Sequence, residues 1–196
     1  MCSSFESIED VKEFGGRFNH QSPTKIPGKK IKLPTDLAPV FDMEKKAHLL
    51  TWGIPQPWAE GKNARPIINA RVETVAQKPT FQKILNRRCL VPATAWFEWR
   101  KTGCKKLKNR ISMDYALPFT FAGLASDTHF TIITCEAVAP IAHIHKRMPL
   151  VLLPENESKW LNVQAPFETV AKTLLPHEGY CLSFDEEKSA QLDMFN

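Results

Sequence analysis

The chain has 196 residues, 43% of them hydrophobic, enough for one well-buried core, so a single domain is the natural expectation. Its net charge of +5 suits an anionic partner such as nucleic acid without requiring one. Five cysteines, odd in number and without a CxxC spacing, argue against a disulfide framework or a zinc cluster. Glu6, Glu9 and Asp10 come too early for a secretory leader, and no apolar run reaches the ~18 residues of a membrane helix. These features predict a soluble, cytoplasmic monomer in a reducing compartment, with no membrane, metal or cofactor.

Taken in order, "SIEDVKEFGG" (residues 7–16) predicts a short helix capped by Ser7, with Asp10 in the capping-box position and Gly15–Gly16 as its stop. Residues 19–39, rich in proline and lysine, read as an extended surface loop with solvated lysines. A strand over 47–55 precedes a long ordered loop over 57–75, of the kind that tends to carry function. "PTFQKILNRR" (79–88) predicts a helix with Arg87 and Arg88 at its C-terminal end, where the helix dipole favours cations.

The segments 89–101, 110–125 and 128–137 are β-branched, aromatic and broken by turn signals, and read as antiparallel strands. "KTGCKKLKN" (101–109) reads as a lysine-rich hairpin loop. A helical turn at 140–149, a buried strand at 150–154, two short helices (155–161 and 165–175) and a last strand at 179–184 complete the chain. Cys89, Cys135 and Cys181 lie in apolar runs and read as small buried hydrophobes. The order predicts an α+β fold: one domain (1–185) with a mostly antiparallel, barrel-like sheet and a few short flanking helices, then a polar tail (186–196).

Few residues offer chemistry. If Met1 is removed, Cys2 carries an α-amine and a thiol on adjacent carbons, a pair suited to trapping an aldehyde. Glu98 sits inside an aromatic strand, where alternation puts it on the face of Trp96 and opposite Phe97 and Trp99. It is either a solvated edge carboxylate or a buried acid/base with a raised pKa. "HIHKRMP" holds His143 and His145 beside Lys146 and Arg147: a basic surface loop, or a histidine acid/base next to a phosphate-gripping arginine. Asn69 and Arg71 share a face of any extended segment, where the amide caps a turn or orients a nucleophile and the guanidinium can pair with phosphate. Of Trp52, Trp58, Trp96 and Trp99, most belong to the core, and one ring at a groove edge would stack an unpaired base.

The ordered series "MC", "WGIPQPWA", "NARVET", "RRCLVPATAWFEW", "FAGLA", "FTIIT" and "HKRMPLVLL" resembles the SRAP family (SOS response-associated peptidases) from Cys2 to about Leu153. The resemblance implies a protein that covalently traps abasic sites in single-stranded DNA, closing a thiazolidine with Cys2. It implies active-site roles for Cys2, Asn69, Glu98 and His145, DNA contacts for Arg71, Trp99 and Arg147, and a further contact at Thr134. The start departs from the family's "MCGR": Ser3 replaces a glycine and Ser4 an arginine that would meet DNA, with Lys12 or Arg17 as candidate substitutes. Two other readings compete. One is a cysteine-type peptidase or amidohydrolase using Cys2 with Glu98 and His145; the other is a basic module that holds single strands without a covalent bond.

Overall fold

The computed structural model describes residues 2–14, 25–26, 28–56, 65–114, 118–176 and 180–187. Trp58 and Arg17, and the proposed tail beyond residue 187, lie outside these residues. The β-branched and aromatic runs form strands β1 (Phe5–Glu6), β2 (Ile31–Lys32), β3 (Leu37–Phe41), β4 (Ala47–Trp52), β5 (Asn69–Arg71), β6 (Arg88–Ala93) and β7 (Ala95–Thr102). They continue with β8 (Lys105–Met113), β9 (Phe119–Ala125), β10 (His129–Glu136), β11 (Arg147–Pro149), β12 (Val151–Leu152) and β13 (Leu182–Glu186). Four short helices flank them: α1 (Pro79–Gln82), α2 (Ala139–Ala142), α3 (Pro154–Leu161) and α4 (Phe167–Thr173).

The strands make two sheets among the described residues. One runs β13-β8-β7-β1-β2; the other runs β11-β10-β4-β3-β6-β9-β12, with β5 added on β10. A further pairing of β10 with β9 joins the second sheet back on itself, so β10, β4, β3, β6 and β9 form a closed ring. Closure removes the open edges that invite aggregation. Pairing is antiparallel except that β10 lies parallel to both β4 and β5. The α+β, barrel-like, mostly antiparallel architecture thus matches the expectation from sequence, with β10 as its mixed element.

β1 and β7 lay their inward residues on the ring. Phe5 meets Trp52 and Phe121 edge-on at 5.0 and 5.8 Å, and Trp96 meets Phe121 at 6.0 Å. Edge-to-face aromatic pairs add about 0.5–1.5 kcal/mol beyond their buried area. Removing Phe121, which touches both strands, would cost about 3–5 kcal/mol. This cluster fixes where β7 sits, and β7 carries Glu98.

Several local expectations are corrected. Over the described part of 7–16 the helix reduces to one 3-10 turn, Val11–Phe14, and the expected Gly15–Gly16 stop lies outside the described residues. Ser7 and Ile8 are buried, and Ser7 N–H donates to Lys30 O, so the chain stays extended there. Glu13 Oε1 then accepts the N–H groups of Glu9 and Asp10 at 2.7 and 2.8 Å, reversing the assumed cap. The helix at 79–88 stops at Gln82, and Arg88 enters β6 fully buried, its guanidinium donating to the carbonyls of Trp160, Asn162 and Ala165. Lys32 is buried rather than solvated, and Cys181 is exposed rather than buried. Residues 101–109 are mostly strand: β7 and β8 run to a two-residue turn in which Gly103 takes φ +54°. Among the described residues no helix is long and apolar enough to cross a membrane, and no His, Cys, Asp or Glu cluster could hold a metal ion.

Candidate active site

The N-terminal stretch rides on β7. Phe5 pairs with Trp96, and Phe97 N–H donates to Ser4 O at 3.0 Å. Carried two residues further, this register sets Ser3 across from Glu98. Cys2 is fully buried beside it. Its carbonyl accepts a hydrogen bond from Asn69 Nδ2 at 2.6 Å, and its thiol donates to Ser4 O at 3.5 Å. Asn69 is supplied by β5, whose pairing with β10 places it opposite Ile132. The amide oxygen of Asn69, Oδ1, is buried without a hydrogen-bond partner among the described residues, an acceptor awaiting a donor.

Glu98 is not a solvated edge residue. β7 lies between β8 and β1, and Glu98 is only 1% exposed. Burial pushes its carboxyl up to about 7. The Cys2 thiol is driven well above the usual thiol range, first by burial and then by the charge of Glu98. His145 shifts the other way: burial lowers it below the ordinary imidazole value, so the ring is neutral at neutral pH. Its Nδ1 lies 3.0 Å from both the backbone N–H and the carbonyl oxygen of Arg147, which fixes the ring and leaves proton transfer to Nε2.

Ser3, Glu98, Trp99, Lys101, Lys106 and His145 line one cleft of about 330 Å³. Three expected site residues thus share a cavity, and Cys2 and Asn69 lie behind it through Ser3. The rest form a neighbouring patch on β5, β10 and β11. Arg71 is exposed, and Thr134 is its register partner. Arg147 is already engaged: Nη1 and Nη2 meet the Glu73 carboxylate at 2.6 and 3.0 Å, and Nη2 donates to Thr134 O at 2.7 Å. Thr134 itself is fully buried, its hydroxyl turned to Ala70 O at 3.4 Å, so its visible work is to hold Arg147 rather than to present a surface. Trp99 is half-buried at the cleft, whereas Trp52 and Trp96 are core.

The departures at the start have structural answers. Among the described residues only Thr35 and Lys45 are non-glycine residues with positive φ, so Ser3 needs no glycine-like backbone. Ser4 is buried and brings no charge to the cleft. Sequence reasoning passed over Glu73, although it follows Arg71 at the same-face spacing, and over Lys101 and Lys106, whose place depends on the hairpin register.

The family model described as SOS response associated peptidase (SRAP) matches residues 1–186. The chain is 38% identical over 144 residues to abasic site processing protein YoaM of Bacillus subtilis (strain 168), covering 66% of this chain and 63% of that protein. It is 38% identical over 125 residues to abasic site processing protein YoqW of Bacillus phage SPbeta, covering 58% and 56%. To abasic site processing protein YedK of Escherichia coli (strain K12) it is 32% identical over 157 residues, covering 74% and 64%. The chain therefore spans less than two thirds of the length of these relatives. Among solved structures, a protein from Bacteroides thetaiotaomicron superposes with a TM-score of 0.81 at 25% identity, over 95% of this chain and 92% of that one. A protein from Bordetella bronchiseptica shares the fold, with a TM-score of 0.79 at 22% identity over 96% and 100%.

Proposed function

The chain belongs to the SRAP family, and from that premise we propose that it processes abasic sites in single-stranded DNA by bonding covalently to them through Cys2. The observation that carries this reading is the placement of Cys2: its carbonyl is held by Asn69, and its thiol feels a buried carboxyl that titrates near neutrality.

With Met1 removed, the Cys2 nitrogen is an α-amine of intrinsic pKa about 7.7–8.0, partly unprotonated at neutral pH. The thiol, pushed above its usual range, holds its proton, so the amine attacks first. It adds to the aldehyde carbon C1′ of the ring-opened sugar, and the carbinolamine loses water to give an imine. The sulfur then adds to the imine carbon as the thiol proton passes through Glu98 to the nitrogen, closing a five-membered thiazolidine. The net change is loss of one water. The second addition is intramolecular and gains the effective molarity of a held neighbour.

Glu98, titrating near 7, is suited to both accept and return protons at neutral pH. His145, fixed through Nδ1, would take up a proton at Nε2 and pass it to the sugar ring oxygen as the ring opens. Arg71 would meet backbone phosphate, Arg147 would join it when Glu73 yields to a stronger anion, and Trp99 would stack on a neighbouring base. A cysteine peptidase would instead need a thiol with lowered proton affinity, the opposite of what burial and Glu98 impose here. The test is to digest the adduct formed with an abasic oligonucleotide and locate the sugar by mass spectrometry. Attachment at the N-terminal cysteine supports the proposal, and attachment at a lysine, or no adduct, overturns it.

A further inference from the structure

The hairpin of β7 and β8 is rich in cations, and most of them are engaged. Arg100 is forked onto Glu186 at 2.7 and 2.6 Å. Arg110 is forked onto Glu6 at 2.9 Å through both nitrogens. Lys108 Nζ lies 4.5 Å from the centroid of the Phe97 ring. Lys101 and Lys106 differ. They are direct cross-strand partners, both exposed, and among the described residues neither side chain makes an ion pair or a hydrogen bond. Like charges directly opposite on paired strands are destabilising, so the fold carries two adjacent ammonium groups at a cost to itself. Both line the cleft that also holds Glu98, Trp99 and His145.

We propose that Lys101 and Lys106 form a phosphate clamp: a single DNA strand crossing the cleft lays one backbone phosphate between the two ammonium groups, which fixes the neighbouring sugar beside Glu98. This inference rests on the proposed function and names a binding element on β7 and β8, in the sheet that does not carry Arg71 and Arg147. Ser4, buried, supplies no charge there. An anion between the lysines removes their mutual repulsion as it binds, so the pair is set to favour phosphate over a neutral ligand. As point charges on flexible stems they grip backbone without reading sequence.

The experiment measures binding of the protein to an undamaged single-stranded oligonucleotide by fluorescence anisotropy across salt, for wild type and for Lys101→Gln/Lys106→Gln. In parallel, the covalent adduct with an abasic oligonucleotide is measured at saturating DNA. Each phosphate neutralised on a single strand contributes about 0.7 to the slope of log affinity against log salt, and the clamp holds one phosphate, so the variant's slope should be shallower by about 0.7. Between 50 and 200 mM salt, wild type should therefore lose about 2.6-fold more affinity than the variant. The adduct rate at saturating DNA should fall as the sugar loses its held neighbour, Lys101→Arg/Lys106→Arg should restore both slope and rate, and the melting temperature of the glutamine variant should be equal to or above that of wild type.

An unchanged slope overturns the clamp while leaving the covalent chemistry standing. A reduced slope in a protein that forms no adduct keeps the clamp and overturns the proposed reaction. An intact protein without salt-dependent affinity for single strands overturns both.

Discussion

Two cavities of nearly equal volume among the described residues differ in kind. The larger, about 350 Å³, is lined by Asp42, His48, Arg87 and Asp127 among others; the smaller, about 330 Å³, is the cleft beside Glu98. In the first, charges settle one another: His48 Nε2 lies 2.6 Å from Asp42 and Arg87 Nη2 lies 2.6 Å from Asp127. The second is set apart by burial and by like charges. Burial raises Glu98 to about 7, lowers His145, and two lysines face each other across a strand pair. Size does not distinguish the two. What does is proton affinity shifted by burial and like charges brought opposite one another, the pattern expected where groups exchange protons or charge with a ligand.

Glu98→Gln is the most severe way to break this contrast. It keeps the shape and removes the proton exchange, and adduct formation should slow by about 10²- to 10⁴-fold in single-turnover assays. The same variant tests the buried carboxyl through stability. The folded value of Glu98 stands above its ordinary 4.5, so the stability it contributes is complete below about pH 4.5 and is lost as pH rises through about 7. Glu98→Gln has no such loss. Its advantage over wild type in denaturant titrations should be smallest at pH 5 and grow toward pH 8, on the order of 2–3 kcal/mol.

Asn69→Ala sharpens the contrast from behind the cleft. It strips the hydrogen bond from the Cys2 carbonyl and should cost about 1–3 kcal/mol of stability. A displaced Cys2 should slow the adduct about tenfold or more, since small misplacements of a reacting group are expensive. Arg71→Ala should act on affinity alone, reducing the salt slope by about 0.7 whatever the base sequence. At the other cavity, Arg87→Ala should do least. Its pair with Asp127 is exposed, so stability should change by under about 1 kcal/mol and adduct yield not at all. A drop in yield there would erase the distinction between the cavities.

Much of the architecture was legible in the sequence because alternation is a local signal. Trp96 and Glu98 fall on one face of β7 from spacing alone, and turn residues mark the strand ends. What escaped was set by distant partners. The helix expected at 7–16 gave way because Phe5 and Ile8 find burial against the sheets and Ser7 pairs with Lys30, whereas helix propensity counts only neighbours. Arg88 looked like a helix end until three carbonyls from residues 160–165 claimed it. In the candidate site, residue types suggested chemistry, but the hold of Asn69 on Cys2 spans 67 positions and has no local trace. The inward turn of Thr134 and the pairing of Lys101 with Lys106 likewise depend on register, and a single residue's slip would reverse both.

The central claim is that Cys2 becomes the bond to DNA. The direct measurement incubates the protein, its free N-terminal cysteine verified by mass, with an abasic single-stranded oligonucleotide and resolves the products on a denaturing gel without borohydride. A shifted band that survives denaturation and is absent with Cys2→Ala is the predicted result, the variant giving a weak band only when borohydride is added. No band from the verified protein, or an equal band from Cys2→Ala, would contradict the account.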